Sequence, residues 1–324
     1  MTILLLETIH PEARERLASV GRVVMADDPE TAEGVVRAEA VQAIVTRGRG
    51  QVRRRLLEKS ADLKVVARVG VGLDNIDVEA ATERGVMVLN APGSTTIAVA
   101  EHTLMLMMAL VRGLYPMVDA VKKGDWAHRR HYSGDELSDK TLGVVGMGAI
   151  GRRVARLAEG FGMRIVYWSR AEKDMPYPYR SLEALLAEAD VVSIHVALTP
   201  ETRHLLGRDE LAAMKPGAVL VNTARGGVID QAALLDALDH GSLAGFATDV
   251  LDPEPPDPND PLLRHEKTII TPHTAALTRT TFRKMCLRTV NNVIAALRGE
   301  PVEAVSVANP AYVDHVPQKH DDMP

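Results

Sequence analysis

The chain has 324 residues, of which 46% are hydrophobic and 25% charged, and carries a formal net charge of -5. That length predicts two domains of ordinary globular composition, each with its own core, and the mild acidity gives no reason to invoke nucleic acid or an anionic membrane as partner. A single cysteine, Cys286, excludes an intrachain disulfide and a cysteine-based metal cluster, and fits a reducing cytoplasm.

The chain opens Met1-Thr-Ile-Leu-Leu-Leu6, with no basic residue ahead of the apolar run and Glu7 directly after it. This reads as a first strand, not a signal peptide. Strands at 2–6, 22–26, 42–46, 64–69 and 86–89 alternate with helical patterns near 11–19, 29–38, 51–59 and 77–84, an alternation that implies a parallel sheet covered by helices. A long helical stretch then runs from about Thr95 to Lys123, with an interruption expected at Pro116. Its apolar run Leu104–Val111 is too short to span a bilayer and is expected to be a buried core helix. A second series of strands follows at 142–146, 163–168, 190–196, 218–223, 244–249 and 268–271, enough for a complete doubly wound sheet. Its helices include 181–186 and 230–238, the latter capped by Asp230 at its start and Gly241 at its end. The last helix, 278–298, places Leu287, Val290, Val293, Ile294 and Leu297 at helical spacing and is expected to pack back on the first domain. The proline-rich segment 253–261 reads as a rigid loop.

Gly146-Met-Gly148-Ala149-Ile150-Gly151 lies between an apolar strand and a helical pattern. In that setting the first glycine permits a tight turn, the second lets a pyrophosphate approach the backbone, and the third lets helix pack on strand. The helix amides then face the anion, so a dinucleotide is the expected ligand. Glycines also punctuate turns for structural reasons alone, and the flanking strand and helix are what favour the binding reading.

Three further motifs fall just beyond strands of the second series: Asn222-Thr-Ala-Arg225-Gly-Gly, Asp249-Val-Leu-Asp-Pro-Glu254-Pro and Thr271-Pro-His273-Thr-Ala. Together with Arg68-Val-Gly-Val-Gly-Leu-Asp, Val99-Ala-Glu-His-Thr103 and His195-Val-Ala-Leu-Thr-Pro-Glu-Thr-Arg203, they resemble the D-2-hydroxyacid dehydrogenase family over nearly the whole chain. The resemblance implies two doubly wound parallel-sheet α/β domains, a Rossmann-type nucleotide domain at 100–283 inserted into a flavodoxin-like substrate domain built from 1–99 and 284–324.

The same resemblance implies that Arg225, Glu254 and His273 form a catalytic trio. The chemistry suits each. Reduction of a 2-keto acid needs hydride at the carbonyl carbon and a proton at its oxygen, and a histidine is apt for proton transfer near neutrality. Glu254 would orient that ring and favour its charged form, while the planar fork of Arg225 would hold the carboxylate and polarise the carbonyl. Singly, each has a plain alternative: a loop histidine, a surface arginine, a loop-capping glutamate. Val71 and Gly72 are implied to meet the substrate carboxylate. Beyond Gly146, Gly148, Ala149, Ile150 and Gly151, the implied cofactor contacts are Thr96, His195, Thr223, Ala224 and Asp249, with Asp249 on the nicotinamide carboxamide. His195 is equally readable as structural.

One departure is chemically interpretable. The acid expected about 20 residues beyond the glycine motif, where it would bind a ribose hydroxyl, is replaced by Ser169 and Arg170. A guanidinium attracts a 2'-phosphate, so NADP is favoured over NAD, unless Arg170 is only solvated and Glu172 supplies the ribose contact. The expected substrate is a small 2-keto acid of the glyoxylate or hydroxypyruvate class. Phosphoglycerate is the alternative, through Arg47 and the cluster His128-Arg129-Arg130-His131. A non-enzymatic dinucleotide-sensing protein is a more distant one. The segment 124–131, with Trp126 beside those cations, is where the resemblance places a homodimer contact.

Overall fold

The computed structural model describes residues 1–315, and its contacts divide the chain into two units, Met1–Thr95 with the segment from Thr278 onward, and Thr96–Leu277. The divisions fall a few residues ahead of 99 and 283 because each coincides with the start of a helix, which belongs to one body along its whole length.

The first unit runs β1 (Thr2–Leu5), α1 (Pro11–Ala18), β2 (Arg22–Met25), α2 (Pro29–Ala38), β3 (Val41–Thr46), α3 (Arg54–Glu58), β4 (Val65–Arg68), α4 (Val78–Glu83) and β5 (Met87–Leu89). The strands form one all-parallel sheet in the order β2-β1-β3-β4-β5, the flavodoxin-like arrangement. Successive side chains on a strand face opposite sides, so Ile3 and Leu5 enter one core while Leu4 and Ile44 enter the other. Burial on both faces is why these strands are continuous apolar runs in the sequence.

The second unit begins with α5 (Thr96–Val111) and α6 (Leu114–Lys122), followed by a 3-10 turn at Trp126–His131. The helical stretch breaks at Gly113, in the left-handed conformation at φ 54°, and not at Pro116 as the sequence suggests. Pro116 sits in the first turn of α6, where a missing N–H leaves no helical bond unmade, whereas Gly113 turns the two axes by 66°. Among the described residues no single helix is long and apolar enough to cross a membrane. The chain continues β6 (Thr141–Val145), α7 (Ala149–Glu159), β7 (Arg164–Trp168), α8 (Leu182–Glu188), β8 (Val191–Ile194), α9 (Arg208–Ala212), β9 (Ala218–Asn222), α10 (Gln231–Asp239), β10 (Leu243–Thr248) and β11 (Thr268–Ile270). These six strands make a parallel sheet in the order β11-β10-β9-β8-β6-β7. On the outer edge of β7, Tyr179 makes a single parallel bridge to Tyr167. That bridge stands where a dinucleotide-binding sheet has its third strand, so the order is that of the Rossmann arrangement with one strand reduced to a residue. The order reverses between β6 and β8, and the glycine-rich turn follows β6.

The chain returns to the first unit through α11 (Arg279–Arg298), capped by the Thr278 hydroxyl and closed by Gly299 at φ 70°. Met285, Cys286, Val290, Val293 and Leu297 are buried against α1, β3, β4 and β5. Each fully buried aliphatic side chain contributes about 1.5–3 kcal/mol, which holds the segment on the unit it left about 180 residues earlier.

Candidate active site

In the second unit the implied groups other than Thr96 lie on the segments that follow the C-terminal ends of strands, where parallel sheets bind ligands. The turn after β6 shows why two of its three glycines are required. Gly146 has φ 103°, and a Cβ there would lie 2.7 Å from the His195 carbonyl carbon. A Cβ at Gly151 would lie 2.2 Å from the Gly146 oxygen. Gly148 is different. It is the N-cap of α7, and a Cβ on it meets nothing within 4 Å. Open space in front of the first amides of an eleven-residue helix fits a pyrophosphate. Ala149 and Ile150 supply the first turn of that helix.

The two residues directly after β7, Ser169 and Arg170, include no carboxylate; the nearest one is on Glu172. Ser169 is buried and donates its hydroxyl proton to the Ala171 carbonyl at 2.6 Å, so it shapes the turn, while Arg170 and Glu172 are exposed. At the end of β8, His195 Nε2 lies 2.8 Å from the Ser193 hydroxyl, and desolvation pushes its imidazole down to about 3, leaving it neutral near pH 7.

Arg225 follows β9 on a turn held by a buried asparagine to which the sequence motif alone assigns no role. Asn222 accepts the Ala224 amide at 2.9 Å and donates to the Arg225 carbonyl at 2.9 Å. Thr223 is buried beside them and Ala224 half-buried. Gly226 then lets this turn touch the chain after β10, since a Cβ on it would lie 2.1 Å from the Leu251 carbonyl carbon. Glu254 belongs to that same chain segment. Its Oε1 accepts the Leu251 amide at 3.1 Å, and its Oε2 lies 2.6 Å from His273 Nδ1. A carboxylate only accepts, so Nδ1 carries the proton of that contact.

His273 stands after β11 in the left-handed conformation at φ 55°. Its amide donates to the backbone oxygens of Asp249 at 2.8 Å and Thr271 at 3.0 Å. Asp249, implied as a carboxamide contact, is 1% exposed and is used to build this turn. Its Oδ1 accepts the Thr271 hydroxyl at 2.5 Å and the Thr274 amide at 2.9 Å, and its Oδ2 accepts the Ala275 amide at 2.8 Å. The structural work of Asn222, Gly226 and Asp249 is visible only in the fold, although a polar residue closing an apolar strand is a usable signal for the first and third. Thr96 is the first residue of α5. In the first unit, Val71 is exposed and Gly72 half-buried on the loop after β4, where the Val71 carbonyl accepts Asn90 Nδ2 at 2.7 Å.

The sequence profile of the D-isomer specific 2-hydroxyacid dehydrogenase NAD-binding domain matches residues 104–275. The chain belongs to the D-isomer-specific 2-hydroxyacid dehydrogenase family, and its second unit carries that family's nicotinamide-dinucleotide domain. A glyoxylate reductase of Aeropyrum pernix is 40% identical, over 94% of this chain and 97% of its own. A D-3-phosphoglycerate dehydrogenase of Methanocaldococcus jannaschii is also 40% identical over 94% of this chain, which spans 59% of that relative's length. Among solved structures, a protein of Thermus thermophilus superimposes with a TM-score of 0.87 at 41% identity, covering 93% of this chain and 98% of that one.

The contrast between Gly148 and Gly151 is testable. Gly148→Ala is expected to keep the parent's melting temperature and weaken dinucleotide binding at least about tenfold, the scale of 1.4 kcal/mol of lost contact. Gly151→Ala is expected to lower both. Calorimetric titration with NADH and NADPH beside thermal melts distinguishes them, and unchanged affinity in Gly148→Ala contradicts the assignment.

Proposed function

We propose that the protein reduces a small 2-keto acid of the glyoxylate or hydroxypyruvate class to the D-2-hydroxy acid, and catalyses the reverse oxidation. The observation that carries this reading is the His273 Nδ1 to Glu254 Oε2 contact, which leaves Nε2 free to give a proton. When bound, the nicotinamide supplies the hydride to the carbonyl carbon. His273 Nε2 delivers the proton to the carbonyl oxygen as charge develops there. Arg225 is the proposed holder of the substrate carboxylate and also polarises the carbonyl. Glycine-turn residues, Thr96, His195, Thr223, Ala224 and Asp249 are the proposed surroundings of the dinucleotide.

For the cofactor we propose NADP over NAD. The two residues directly after β7, Ser169 and Arg170, bring no carboxylate to repel a 2'-phosphate, and Arg170 is exposed there. With the Ser169 proton committed to Ala171, the discrimination rests on Arg170. Phosphoglycerate is the second reading, but Arg47 is engaged within its own unit, donating to the Thr8 carbonyl at 3.1 Å and stacking over Phe282 at 5.0 Å. A purely dinucleotide-sensing role is disfavoured by the assembled His273 and Glu254. The lone buried Cys286 supports a cytoplasmic location.

We also propose a homodimer. Along α5, α6 and the following turn, Met105, Leu114, Tyr115, Val121 and Trp126 are each about half or more exposed, beside an open apolar groove of about 820 Å³ that includes Leu104, Met117 and Phe161. Monomers rarely expose so continuous an apolar surface.

A panel of 2-keto acids with NADH and NADPH tests the activity, with glyoxylate or hydroxypyruvate expected to exceed phosphohydroxypyruvate in kcat/KM. His273→Gln is expected to keep dinucleotide affinity and lose about a hundredfold or more in kcat; near-parental turnover removes it from the mechanism. Arg170→Ala is expected to raise KM for NADPH far more than for NADH, and equal changes refute the 2'-phosphate contact. Analytical ultracentrifugation is expected to give a dimer that Leu114→Asp dissociates; a monomeric parent defeats the assembly claim.

A further inference from the structure

We propose that His102, on α5, is a positioning residue for the reaction, acting through the Thr271 hydroxyl and the Asp249 carboxylate on the turn that carries His273. The proposal rests on the reading of His273 as the proton donor and extends it to a residue that touches no reacting atom.

Hydrogen-bond accounting makes the chain of contacts directional. The Thr271 hydroxyl has one proton to give. It lies 2.5 Å from Asp249 Oδ1 and 3.4 Å from the Thr248 carbonyl. The short contact to a charged acceptor takes that proton. Toward His102 Nε2, at 2.9 Å, the hydroxyl therefore offers only a lone pair. His102 Nε2 must then carry a hydrogen and donate it, which fixes the protonated nitrogen of that ring. The sequence of bonds runs from His102 Nε2–H to Thr271 Oγ1, and from Thr271 Oγ1–H to Asp249 Oδ1. The imidazole is itself only 3.6 Å from Asp249 Oδ1.

What Asp249 does with that orientation bears on catalysis. The same Oδ1 accepts the Thr274 amide and Oδ2 accepts the Ala275 amide, while the Asp249 backbone oxygen accepts the His273 amide. His273 is thus held at φ 55°, a conformation that a residue with a Cβ does not adopt without support. A second contact from α5 strengthens the case. Thr103, the next residue, donates its hydroxyl to the Val99 carbonyl at 2.7 Å, so its contact with Thr223 Oγ1 at 2.8 Å takes the Thr223 proton. Neighbouring residues of one helix therefore grip the ends of β9 and β11, which lead to Arg225 and His273. Without the His102 donor, Thr271 and Asp249 lose one fixed direction, the turn relaxes, and Nε2 of His273 leaves the line set by Glu254.

The test compares His102→Leu, which removes the donor, with His102→Gln, whose amide reaches the position of Nε2 and keeps one. His102→Leu is expected to lower kcat about tenfold or more with dinucleotide affinity within about twofold, and His102→Gln to recover to within about threefold of the parent. Thr271→Val, which also removes the hydroxyl donor to Asp249, is expected to lose at least as much as His102→Leu, and the double variant to lose no more than Thr271→Val alone, as residues acting in one chain of contacts do. Independent of turnover, backbone amide exchange at Thr274 and Ala275 is expected to quicken about tenfold in His102→Leu and Thr271→Val but not in His102→Gln. A parent that reduces no 2-keto acid defeats the proposed function and leaves the exchange comparison to decide the positioning chain. Unchanged exchange in both donor-deleting variants, losses that multiply in the double variant, or a glutamine no better than leucine overturns the proposal. If His102→Leu does not fold, Thr271→Val against His102→Gln gives the same decision by exchange.

Discussion

The buried carboxylate of Asp249 is the constraint on which the site depends. A charged group at 1% exposure is tolerated only when donors surround it, and here the donors are the hydroxyl and amides of the turn after β11. Satisfying the charge and shaping the turn that carries His273 are one event. Because Asp249 directly follows β10, the turn after β11 is built on the strand beside it, and His273 inherits the rigidity of the sheet. Glu254, further along the same segment, then meets the ring from a position fixed by the Leu251 amide. Preorganisation of this kind lets a proton donor act without reorganising at the moment of reaction.

The remaining parts of the second unit are arranged by the same topology. Parallel strands point all their C-terminal ends one way, so the glycine turn, His195, Arg225, Asp249 and His273 come together although they are spread widely along the sequence. At the reversal of strand order between β6 and β8, backbone approaches backbone so closely that only glycine fits at 146 and 151. At 148 a Cβ would meet nothing within 4 Å, so the packing of the turn does not demand glycine there.

Much of this is legible in the sequence because both sheets are buried on both faces. A doubly covered parallel strand is an uninterrupted apolar run, and each expected strand lies within a residue or two of an observed one. Local signals that have two meanings mislead. Pro116 marks a helix start and not a break, whereas the actual break, Gly113, has no neighbour that distinguishes it from a tolerated helical glycine. The third strand position, reduced to Tyr179, is too short to leave a pattern. The proposed trio Arg225, Glu254 and His273 is suggested by ordered motifs, and the fold brings Glu254 and His273 into contact. The contacts that hold it, from Asn222, Gly226, Thr271 and His102, depend on which strand end lies beside which, and that is decided by the sheet and not by spacing. Ser169 shows the same limit, since its hydroxyl is turned into its own loop by the Ala171 carbonyl.

The central claim is that Glu254 and the Asp249-built turn present Nε2 of His273 to the substrate oxygen. A crystal structure of the protein with NADPH and oxamate, an unreactive isostere of a 2-keto acid, tests it most directly. The account predicts the oxamate carbonyl oxygen within about 2.6–3.2 Å of His273 Nε2, with Nδ1 still on Glu254 and the oxamate carboxylate on Arg225. An oxamate bound away from His273, or a ring rotated so that Nε2 meets Glu254, would contradict it.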